Sequence, residues 1–293
     1  MTGNAGQDWW EAMRRNDHAA AWRVSDAVLA ARDPATRDDP GQPYHLRWVW
    51  DGRRLDGADV LVRCYHGLGD TLQFSRYLPL LAGRARRVTL ETQASLVPLL
   101  REVPGIDRII AFDPAAPAPP GEVDVEIMEL AHALRVLPPP CPALAQAPPR
   151  RIPGALPRIG LCWEAGGWDR ARSVPLQALL AALPGARLVS LQRGPAACQA
   201  GAAFENPGDA SESLAHTIAL IAGCDSVISV DTMVAHLALT LGRSATVLLR
   251  HDADWRWGSA ARTPWYPTAR LLRQETEGDW RAPLRALAEY VQA

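Results

Sequence analysis

Residues 225–250 read D-S-V-I-S-V-D-T-M-V-A-H-L-A-L-T-L-G-R-S-A-T-V-L-L-R. Ser226 to Val230 is a short apolar run rich in β-branched residues, which is typical of a buried parallel strand. Apolar residues then recur at helical spacing until Gly242, which stands where a helix C-cap glycine belongs. Thr246 to Leu249 is typical of the next strand. The stretch therefore predicts a strand–helix–strand unit.

Three polar residues stand where the first of these strands becomes the helix. Asp231 is placed to cap the helix, Thr232 opens it, and His236 lies one turn further on the same helix face. Ligands of open α/β sheets bind at the carboxyl ends of strands, and helix amides with a hydroxyl and an imidazole suit a phosphate or diphosphate. The alternative is that Asp231 is only an N-cap and His236 only a satisfied helix residue.

Composition excludes several classes of protein. The chain of 293 residues has a formal net charge of −1, so no broad nucleic-acid surface is expected. The five cysteines are scattered and form no C-x-x-C pair, which predicts reduced thiols and neither a zinc site nor disulfides. The sequence shows neither a signal peptide nor an apolar run long enough to span a bilayer. We expect a cytoplasmic protein. Peripheral association with the inner face of the inner membrane is compatible with the same sequence.

The N-terminal residues precede any strand–helix alternation. Asp8 to Arg32 has a helical apolar pattern that is interrupted near Asn16, which predicts a helical hairpin that packs on the main body. A polar, proline-bearing loop follows over residues 33–43. Residues 46–50, L-R-W-V-W, are typical of a short strand that enters a turn.

The first convincing core strand is residues 59–64, D-V-L-V-R-C, and it leads into the turn Y-H-G-L-G-D-T and a helix over residues 72–81. Gly67 and Gly69 would let the backbone approach a ligand closely, and Asp70 would stand at the helix start. The turn matches neither a dinucleotide-binding fingerprint nor a Walker loop. A simple helix cap is the alternative role for Asp70.

Strands and helices alternate on both sides of a proline-rich segment, which predicts two α/β domains with parallel sheets. Glu126 and Glu129 follow one predicted strand, and there we expect them to contact solvent. The predicted organisation is a helical hairpin and loop (1–43), an N-terminal Rossmann-like domain (44–137), a proline-rich linker (138–157), a C-terminal Rossmann-like domain (158–278) and a C-terminal helix (279–293).

Four segments together resemble family nine glycosyltransferases, the ADP-heptose:lipopolysaccharide heptosyltransferases and their relatives. These segments are H-G-L-G-D-T-L-Q-F-S-R-Y-L-P-L-L, G-L-C-W-E-A-G with R-S-V-P-L, S-L-Q-R-G-P, and S-V-D-T-M-V-A-H-L-A-L-T-L-G. The tail D-W-R-W-G and P-W-Y-P-T-A-R-L-L-R-Q resembles the branch often associated with tetratricopeptide repeats. The resemblance covers residues 59–291 and implies a GT-B fold, in which two Rossmann-like domains face each other across a cleft. It also implies that the C-terminal helix crosses back to the N-terminal domain.

The resemblance implies roles for single residues. Asp70 matches the aspartate that acts as general base on the acceptor hydroxyl, and Arg172 matches a basic residue that faces the donor diphosphate. Thr232 and the helix amides would hold that diphosphate, with Asp231 near the sugar or phosphate and His236 in support. Gln192 stands near the position of a family glutamate at the nucleoside ribose, so the resemblance leaves both an adenine and a uracil donor open. The tryptophans placed to stack on a base or sugar are Trp163, Trp168, Trp255 and Trp257.

The resemblance implies a bacterial, inverting, metal-independent glycosyltransferase without a cofactor. Its donor would be an ADP- or UDP-linked heptose or hexose, and its acceptor a lipopolysaccharide core, another lipid-linked glycan or a protein. A protein O-glycosyltransferase that uses a UDP-hexosamine is the second enzyme hypothesis. A non-catalytic nucleotide-sugar-binding scaffold is the alternative from another class.

Overall fold

The computed structural model describes residues 4–138, 144, 156–167, 169–206 and 213–292. The chain divides into two compact units, Met1–Leu144 and Ala145–Ala293. The predicted linker over residues 138–157 lies almost entirely outside the described residues. Each unit is built around its own parallel sheet, as the sequence predicts.

Unit 1 carries a four-stranded sheet in the order β3-β2-β1-β4, with parallel neighbours throughout. Its central strand β1 is buried on both faces, which explains why the sequence there is nearly continuous in valine and leucine. The described elements are the helices α1 (Asn4–Arg14), α2 (His18–Ala31), α3 (Leu68–Phe74), α4 (Leu78–Ala82), α5 (Val97–Leu100) and α6 (Leu130–Leu134), and the strands β1 (Asp59–Arg63), β2 (Arg87–Thr92), β3 (Arg108–Ala111) and β4 (Val123–Glu126).

The predicted hairpin is confirmed as α1 and α2. The chain turns at Asn16, whose φ of 58° is left-handed, and the Asp17 side chain then accepts the Ala20 N–H at 3.0 Å as the N-cap of α2. Two polar contacts link the hairpin to the rest of unit 1. The Asp26 carboxylate lies 2.8 Å from His132 Nε2 on α6, and Arg32 Nη1 lies 3.2 Å from Glu129 Oε1.

Two local predictions in unit 1 were wrong. Residues 46–50 form no strand within the described chain: a 3₁₀ turn at Tyr44–Leu46 is followed by irregular backbone. The single helix predicted for residues 72–81 begins earlier, at Leu68, and is interrupted by a 3₁₀ turn at Ser75–Tyr77 before α4. Pro79 explains the interruption, because it lacks the N–H that would continue the ladder and its ring crowds the carbonyl four residues back.

Unit 2 carries a five-stranded parallel sheet in the order β6-β5-β7-β8-β9. The inner strands β5, β7 and β8 and the helix α7 contribute residues to one buried apolar core. The described elements are β5 (Arg158–Cys162), α7 (Leu176–Ala181), β6 (Arg187–Ser190), α8 (Leu214–Ala222), β7 (Ser226–Val230), α9 (Met233–Thr240), β8 (Ala245–Leu249), β9 (Ala269–Arg273) and α10 (Arg281–Gln292).

The C-terminal helix α10 packs in the core of unit 2. Leu287 is fully buried there, and Leu284 and Ala288 lie against the same core, which also contains Ile159 and Leu161 of β5. Its apolar stripe is thereby covered. A return of this helix to the N-terminal domain stays a prediction.

Candidate donor and acceptor sites

The turn between β7 and α9 has the predicted secondary structure but a different cap. Strand β7 spans the predicted residues, and Gly242 follows α9 with a φ of +74°, as a C-terminal glycine should. The N-cap position is occupied by Thr232, whose side chain makes no capping hydrogen bond. Asp231 lies one residue before the cap, so its predicted capping role was wrong. Its carboxylate is directed instead to a distant loop.

Arg172 connects that loop to the start of α9. Its Nη1 donates to the backbone carbonyl of Asp231 at 2.7 Å and lies 3.7 Å from the Asp231 carboxylate. Its Nε lies 3.4 Å from Asp169, which is also 3.4 Å from the Arg250 guanidinium directly after β8. Arg172 therefore lies at the start of α9, and Arg250 belongs to the same network through Asp169.

Asp231 is buried, and charged groups of both signs lie near its carboxyl group. Burial raises the pKa of its carboxyl, and the charge of Asp254 raises it further. The Arg172 and Arg256 guanidinium groups and the Trp257 side chain act in the opposite direction. The carboxylate thus depends on Arg172 for its stability as an anion, and in turn it holds that arginine at the helix start.

His236 supports Asp231 from one helical turn away. It is buried, its Nδ1 lies 2.9 Å from the Tyr266 hydroxyl, and its Nε2 lies 3.9 Å from Asp231 Oδ1. Its ring stacks on the Trp257 ring with centroids 5.1 Å apart. The tyrosine, the tryptophan and the helix backbone therefore fix the imidazole beside the carboxylate.

Thr232 joins the ends of two neighbouring strands. Its hydroxyl lies 3.1 Å from Ser229 Oγ of β7 and 3.6 Å from Cys162 Sγ of β5. Burial raises the pKa of the Cys162 thiol to about 11, so this group is a neutral neighbour at physiological pH. The half-buried Thr232 is the N-cap residue of α9, so its hydroxyl lies at the helix start, where an anion would bind.

Gln192 and Trp163 have structural roles in the described residues. The Gln192 side-chain oxygen accepts the N–H groups of Trp163 at 3.0 Å and Glu164 at 2.9 Å, and its Nε2 donates to two backbone carbonyls. Both ends of the amide are thus committed to the chain itself. Trp163 is 1% exposed and packs on Phe204 in the core of unit 2. Gln192 shapes the loop after β5 and does not present its amide to a ligand.

The other tryptophans follow the same pattern. Trp255 and Trp257 are buried, and Trp168 lies outside the described residues. The expectation that Trp163, Trp255 or Trp257 stacks directly on a base or sugar was therefore wrong for this structure, because protein already covers their rings. Sequence alone does not distinguish a binding tryptophan from a core tryptophan.

In unit 1 the Asp70 side chain turns back and accepts a hydrogen bond from the predicted glycine turn. Gly67 occupies the N-cap position of α3, and its N–H donates to Asp70 Oδ2 at 3.0 Å. A Cβ at Gly67 would lie only 3.1 Å from that oxygen, so glycine permits this return of the side chain. Gly69 lies within the first turn of α3. Asp70 is half-buried and is the third residue of α3, where its side chain makes the helix-capping contact that the alternative role predicts. Its role as a base stays a prediction.

A histidine–carboxylate pair that the sequence did not predict lies at this edge. His66 Nδ1 lies 2.9 Å from the Glu126 carboxylate at the end of β4. Glu126 is 4% exposed, so the expectation that it contacts solvent was wrong. Glu129 is half-buried too, and burial raises the pKa of its carboxyl to about 7 despite Arg32 beside it. The pair forms because β1 and β4 are neighbouring strands of the sheet. The sequence of neither strand reveals which strand lies beside it.

Comparisons with known proteins rest on structure. No family model matches the chain, and no curated protein matches it by sequence. A family 9 glycosyltransferase from Veillonella parvula has a TM-score of 0.56 at 13% identity over 82% of this chain and 96% of its own. The E. coli heptosyltransferase WaaC with ADP-2-deoxy-2-fluoro heptose has 0.55 at 14% identity, over 80% and 99%.

A third similar structure is TibC from enterotoxigenic E. coli, described as an iron-containing dodecameric glycosyltransferase. Its TM-score is 0.58 at 17% identity, and the match covers 78% of this chain and 66% of TibC. The fold is that of family 9 glycosyltransferases. The predicted GT-B class, with two parallel sheets, is therefore confirmed, and these identities establish the fold alone.

Among the described residues, no group of three or more histidine, cysteine, aspartate or glutamate side chains could hold a metal ion. No helix among the same residues is long and apolar enough to cross a bilayer.

Proposed function

We propose that the chain is a glycosyltransferase that moves a sugar from a nucleoside-diphosphate donor to an acceptor hydroxyl with inversion. The observation that carries the proposal is the Arg172 guanidinium, bonded at 2.7 Å to the backbone carbonyl just before α9. A fixed guanidinium beside unbonded helix amides and the Thr232 hydroxyl suits a diphosphate. The fold supports the same class of reaction.

In the proposed reaction the two units supply different groups. The acceptor oxygen attacks the anomeric carbon as the bond from that carbon to the diphosphate oxygen breaks, and the electron pair leaves with the nucleoside diphosphate. Arg172, Thr232 and the amides of α9 stabilise the charge that develops on this leaving group. Asp70 accepts the acceptor proton. No step of this proposal requires a metal ion.

For the donor we propose an ADP-linked heptose or hexose first and a UDP-linked sugar second. Solved structures of similar fold contain ADP or an ADP-heptose. For the acceptor we propose a lipopolysaccharide or other lipid-linked glycan, with a protein hydroxyl as the alternative. Such acceptors imply a cytoplasmic enzyme that works at the inner face of the inner membrane.

Calorimetric titration tests the donor site. ADP, UDP, GDP and the matching sugar nucleotides are titrated into the wild type, Thr232→Ala, Arg172→Ala and the control Arg187→Ala, whose arginine pairs with Glu205 at the start of β6. We expect one nucleotide to bind, about 2- to 10-fold more weakly to Thr232→Ala and at least ~10-fold more weakly to Arg172→Ala, with the control unchanged. Absence of binding by every nucleotide would contradict the proposal.

Asp70→Asn tests the chemistry. The amide keeps the size of the side chain and can still accept the Gly67 N–H, but it cannot take a proton. We expect donor affinity to stay within about twofold and turnover to fall by about 10²- to 10⁴-fold. Unchanged turnover in Asp70→Asn would exclude Asp70 as the base. A wild-type protein that binds the donor but shows no turnover would favour the scaffold hypothesis.

A further inference from the structure

Unit 2 has a pocket at the amino edge of its sheet, opposite the edge that carries Thr232. The pocket lies where the neighbouring strands β7, β8 and β9 begin, beside α10, and its volume is about 330 Å³. Strand β7 spans five residues, so at about 3.3 Å per residue its two ends lie about 13 Å apart. The pocket is therefore separate from the candidate donor site. Pockets of about 300 Å³ and above hold small organic ligands.

One face of the sheet changes from apolar to polar at this edge. Further along the strands the face carries Ile228 and Leu272, which pack in the core of unit 2. Thr246 is the register partner of Ile228 in β7 and of Arg270 in β9. Residues in register point to the same face of a sheet, and so do residues two apart in one strand. Ser226, Thr246 and Arg270 therefore emerge side by side on this face, and all three line the pocket.

The Thr246 hydroxyl is the buried polar group of the pocket. The residue is 4% exposed and lines the pocket, yet its hydroxyl makes no hydrogen bond to any residue that the structure describes. A buried hydroxyl without a hydrogen bond costs free energy, and native proteins seldom leave one so. This hydroxyl is therefore available to a ligand in the pocket.

The side chains around the pocket carry positive charge. Two arginines and four hydroxyl residues line it, namely Arg262, Arg270, Ser226, Ser244, Thr246 and Thr268. The described lining contains no aspartate or glutamate. The Arg270 guanidinium lies over the Tyr290 ring of α10, 3.8 Å from its centroid, and Arg262 Nη1 donates to the Pro267 carbonyl at 3.2 Å. A guanidinium held over a ring keeps the N–H groups along its edge for a ligand.

We propose that this pocket binds a phosphate monoester whose organic part is about the size of a sugar. Phosphate oxygens accept hydrogen bonds, and the guanidinium and hydroxyl groups of the pocket donate them. Leu272 and Tyr290 add apolar surface for the organic part. A neutral sugar needs acceptors as well as donors, and the described lining has no carboxylate or amide side chain. The inference rests on unit 2 alone and does not require the proposed glycosyl transfer.

Calorimetric titration of the full chain tests the pocket. The probes are glucose 6-phosphate, glucose 1-phosphate, inorganic phosphate and glucose, at about 0.1 M salt, where charges more than about 10 Å apart are largely screened. The proteins are the wild type, Arg270→Ala, Arg270→Lys, Thr246→Val and the control Arg187→Ala. Arg187 also begins a strand at the amino edge, but β6 lies three strands away from β8. Thr246→Val removes the hydroxyl and keeps a β-branched side chain.

We expect the wild type to bind a sugar phosphate at least about tenfold more tightly than glucose. Arg270→Ala should weaken that binding at least about tenfold, and Thr246→Val about 2- to 10-fold. Arg270→Lys should keep part of the affinity, because lysine retains the charge without the planar fork. Arg187→Ala should bind like the wild type.

Urea unfolding of the same variants separates a binding role from a structural one. The Thr246 hydroxyl has no bond to the described protein, so Thr246→Val should unfold at the same urea concentration as the wild type or a higher one. A weaker affinity without a loss of stability is the expected signature of a ligand-binding hydroxyl. A loss of stability in Thr246→Val would show that the hydroxyl supports the fold, and would overturn its assignment to the ligand.

The titrations have four outcomes that would count against the inference. If no phosphate probe binds, the pocket is not a phosphate site. If glucose binds as tightly as glucose 6-phosphate, the arginines do not recognise the phosphate. If Arg270→Ala and Thr246→Val both keep the wild-type affinity, the probe binds elsewhere. If inorganic phosphate binds as tightly as both sugar phosphates, the sugar-sized part of the proposal is wrong.

Failure of the proposed function would look different. Arg172→Ala, at the other edge of the sheet, should lower the affinity for the nucleotide donor and leave the affinity for the sugar phosphate unchanged. A protein that binds no nucleotide but binds a sugar phosphate through Arg270 would contradict the proposed glycosyl transfer and confirm this pocket.

Discussion

Arg172→Ala is the perturbation that tests how the candidate donor site is held together. The substitution removes a 2.7 Å hydrogen bond to the Asp231 carbonyl and a cation 3.7 Å from the Asp231 carboxylate. Both side chains are largely buried, at 12% and 11% exposure, so solvent does little to screen the pair. The variant therefore leaves a carboxylate in a place that already disfavours its charge.

The expected loss can be built from these two contacts. A hydrogen bond from a charged donor contributes about 1.5–3 kcal/mol, and loss of one partner of a buried ion pair costs about 3–5 kcal/mol when the geometry is close. The 3.7 Å separation is longer than in an ideal pair, so we assign about 1–2 kcal/mol to the charge interaction. The free energy of unfolding of unit 2 should fall by about 2.5–5 kcal/mol in total.

A double-mutant cycle separates the two contacts. In an Asp231→Asn background the carbonyl contact remains but the charge does not, so Arg172→Ala should cost about 1–2 kcal/mol less than in the wild type. Hydrogen exchange at the amides of α9, followed against urea, reports the stability of unit 2 without mixing in unit 1. Arg187→Ala breaks a half-exposed pair with Glu205 and should cost less than about 1 kcal/mol.

The pH dependence of the stability loss in Arg172→Ala gives an independent test. Burial raises the pKa of Asp231 above its ordinary 3.8, so its charge costs stability only as the pH rises through and above that value. Arg172 reduces this cost only when Asp231 is ionised, and the loss in Arg172→Ala should therefore be smaller at pH 4.5 than at pH 8. Purely additive effects in the cycle, or a loss that is larger at low pH, would refute the idea that Arg172 compensates a buried Asp231 charge.

Three further substitutions test other parts of the structure by urea unfolding. Burial raises the pKa of Glu129 from 4.5 to about 7, so the charged carboxylate lowers the free energy of unfolding above that range. Glu129→Gln should therefore add about 1 kcal/mol at pH 8 and nothing near pH 4. The gain is smaller than the full pKa shift implies, because Arg32 loses its charged partner. Gly160→Ala would place a Cβ 2.5 Å from Leu191 Cδ1 and should cost about 1–3 kcal/mol, whereas Gly167→Ala, with nothing within 4 Å, should be neutral. Gln192→Leu leaves two backbone N–H groups without their acceptor and should cost about 2–4 kcal/mol; a loss below about 1 kcal/mol would show that water replaces the amide.

Local signals account for what the sequence predicted well. Strand β7 was placed to the residue because its β-branched run ends abruptly at two polar residues, and the end of α9 was marked by Gly242. Both signals lie within a few residues of the element they define. The hairpin break at Asn16 and the strand β1 belong to the same category.

Contacts between distant segments account for the errors. Asp231 does not cap α9 because Arg172, 59 residues away in sequence, holds its carbonyl and attracts its carboxylate. Glu126 is buried because β4 pairs with β1, which places it in register with Arg63 and near His66. The strand order β3-β2-β1-β4 brings Glu126 and His66 together. The periodicity of residues within one strand carries no information about which strands lie beside it.

The two carboxyl edges differ in chemistry, and the difference supports the proposed division of work. At the edge of unit 1 the proposed base Asp70 is a carboxylate, whereas at the edge of unit 2 Arg172 and Arg250 place positive charge beside Asp169 and Asp231. Proton acceptors act on a hydroxyl, and guanidinium groups act on a diphosphate. Substitutions at the first edge should therefore change turnover at constant donor affinity, and those at the second should change donor affinity first. A variant of Asp70 that loses donor binding, or one of Arg172 that keeps it, would mean that the groups have been assigned to the wrong substrate.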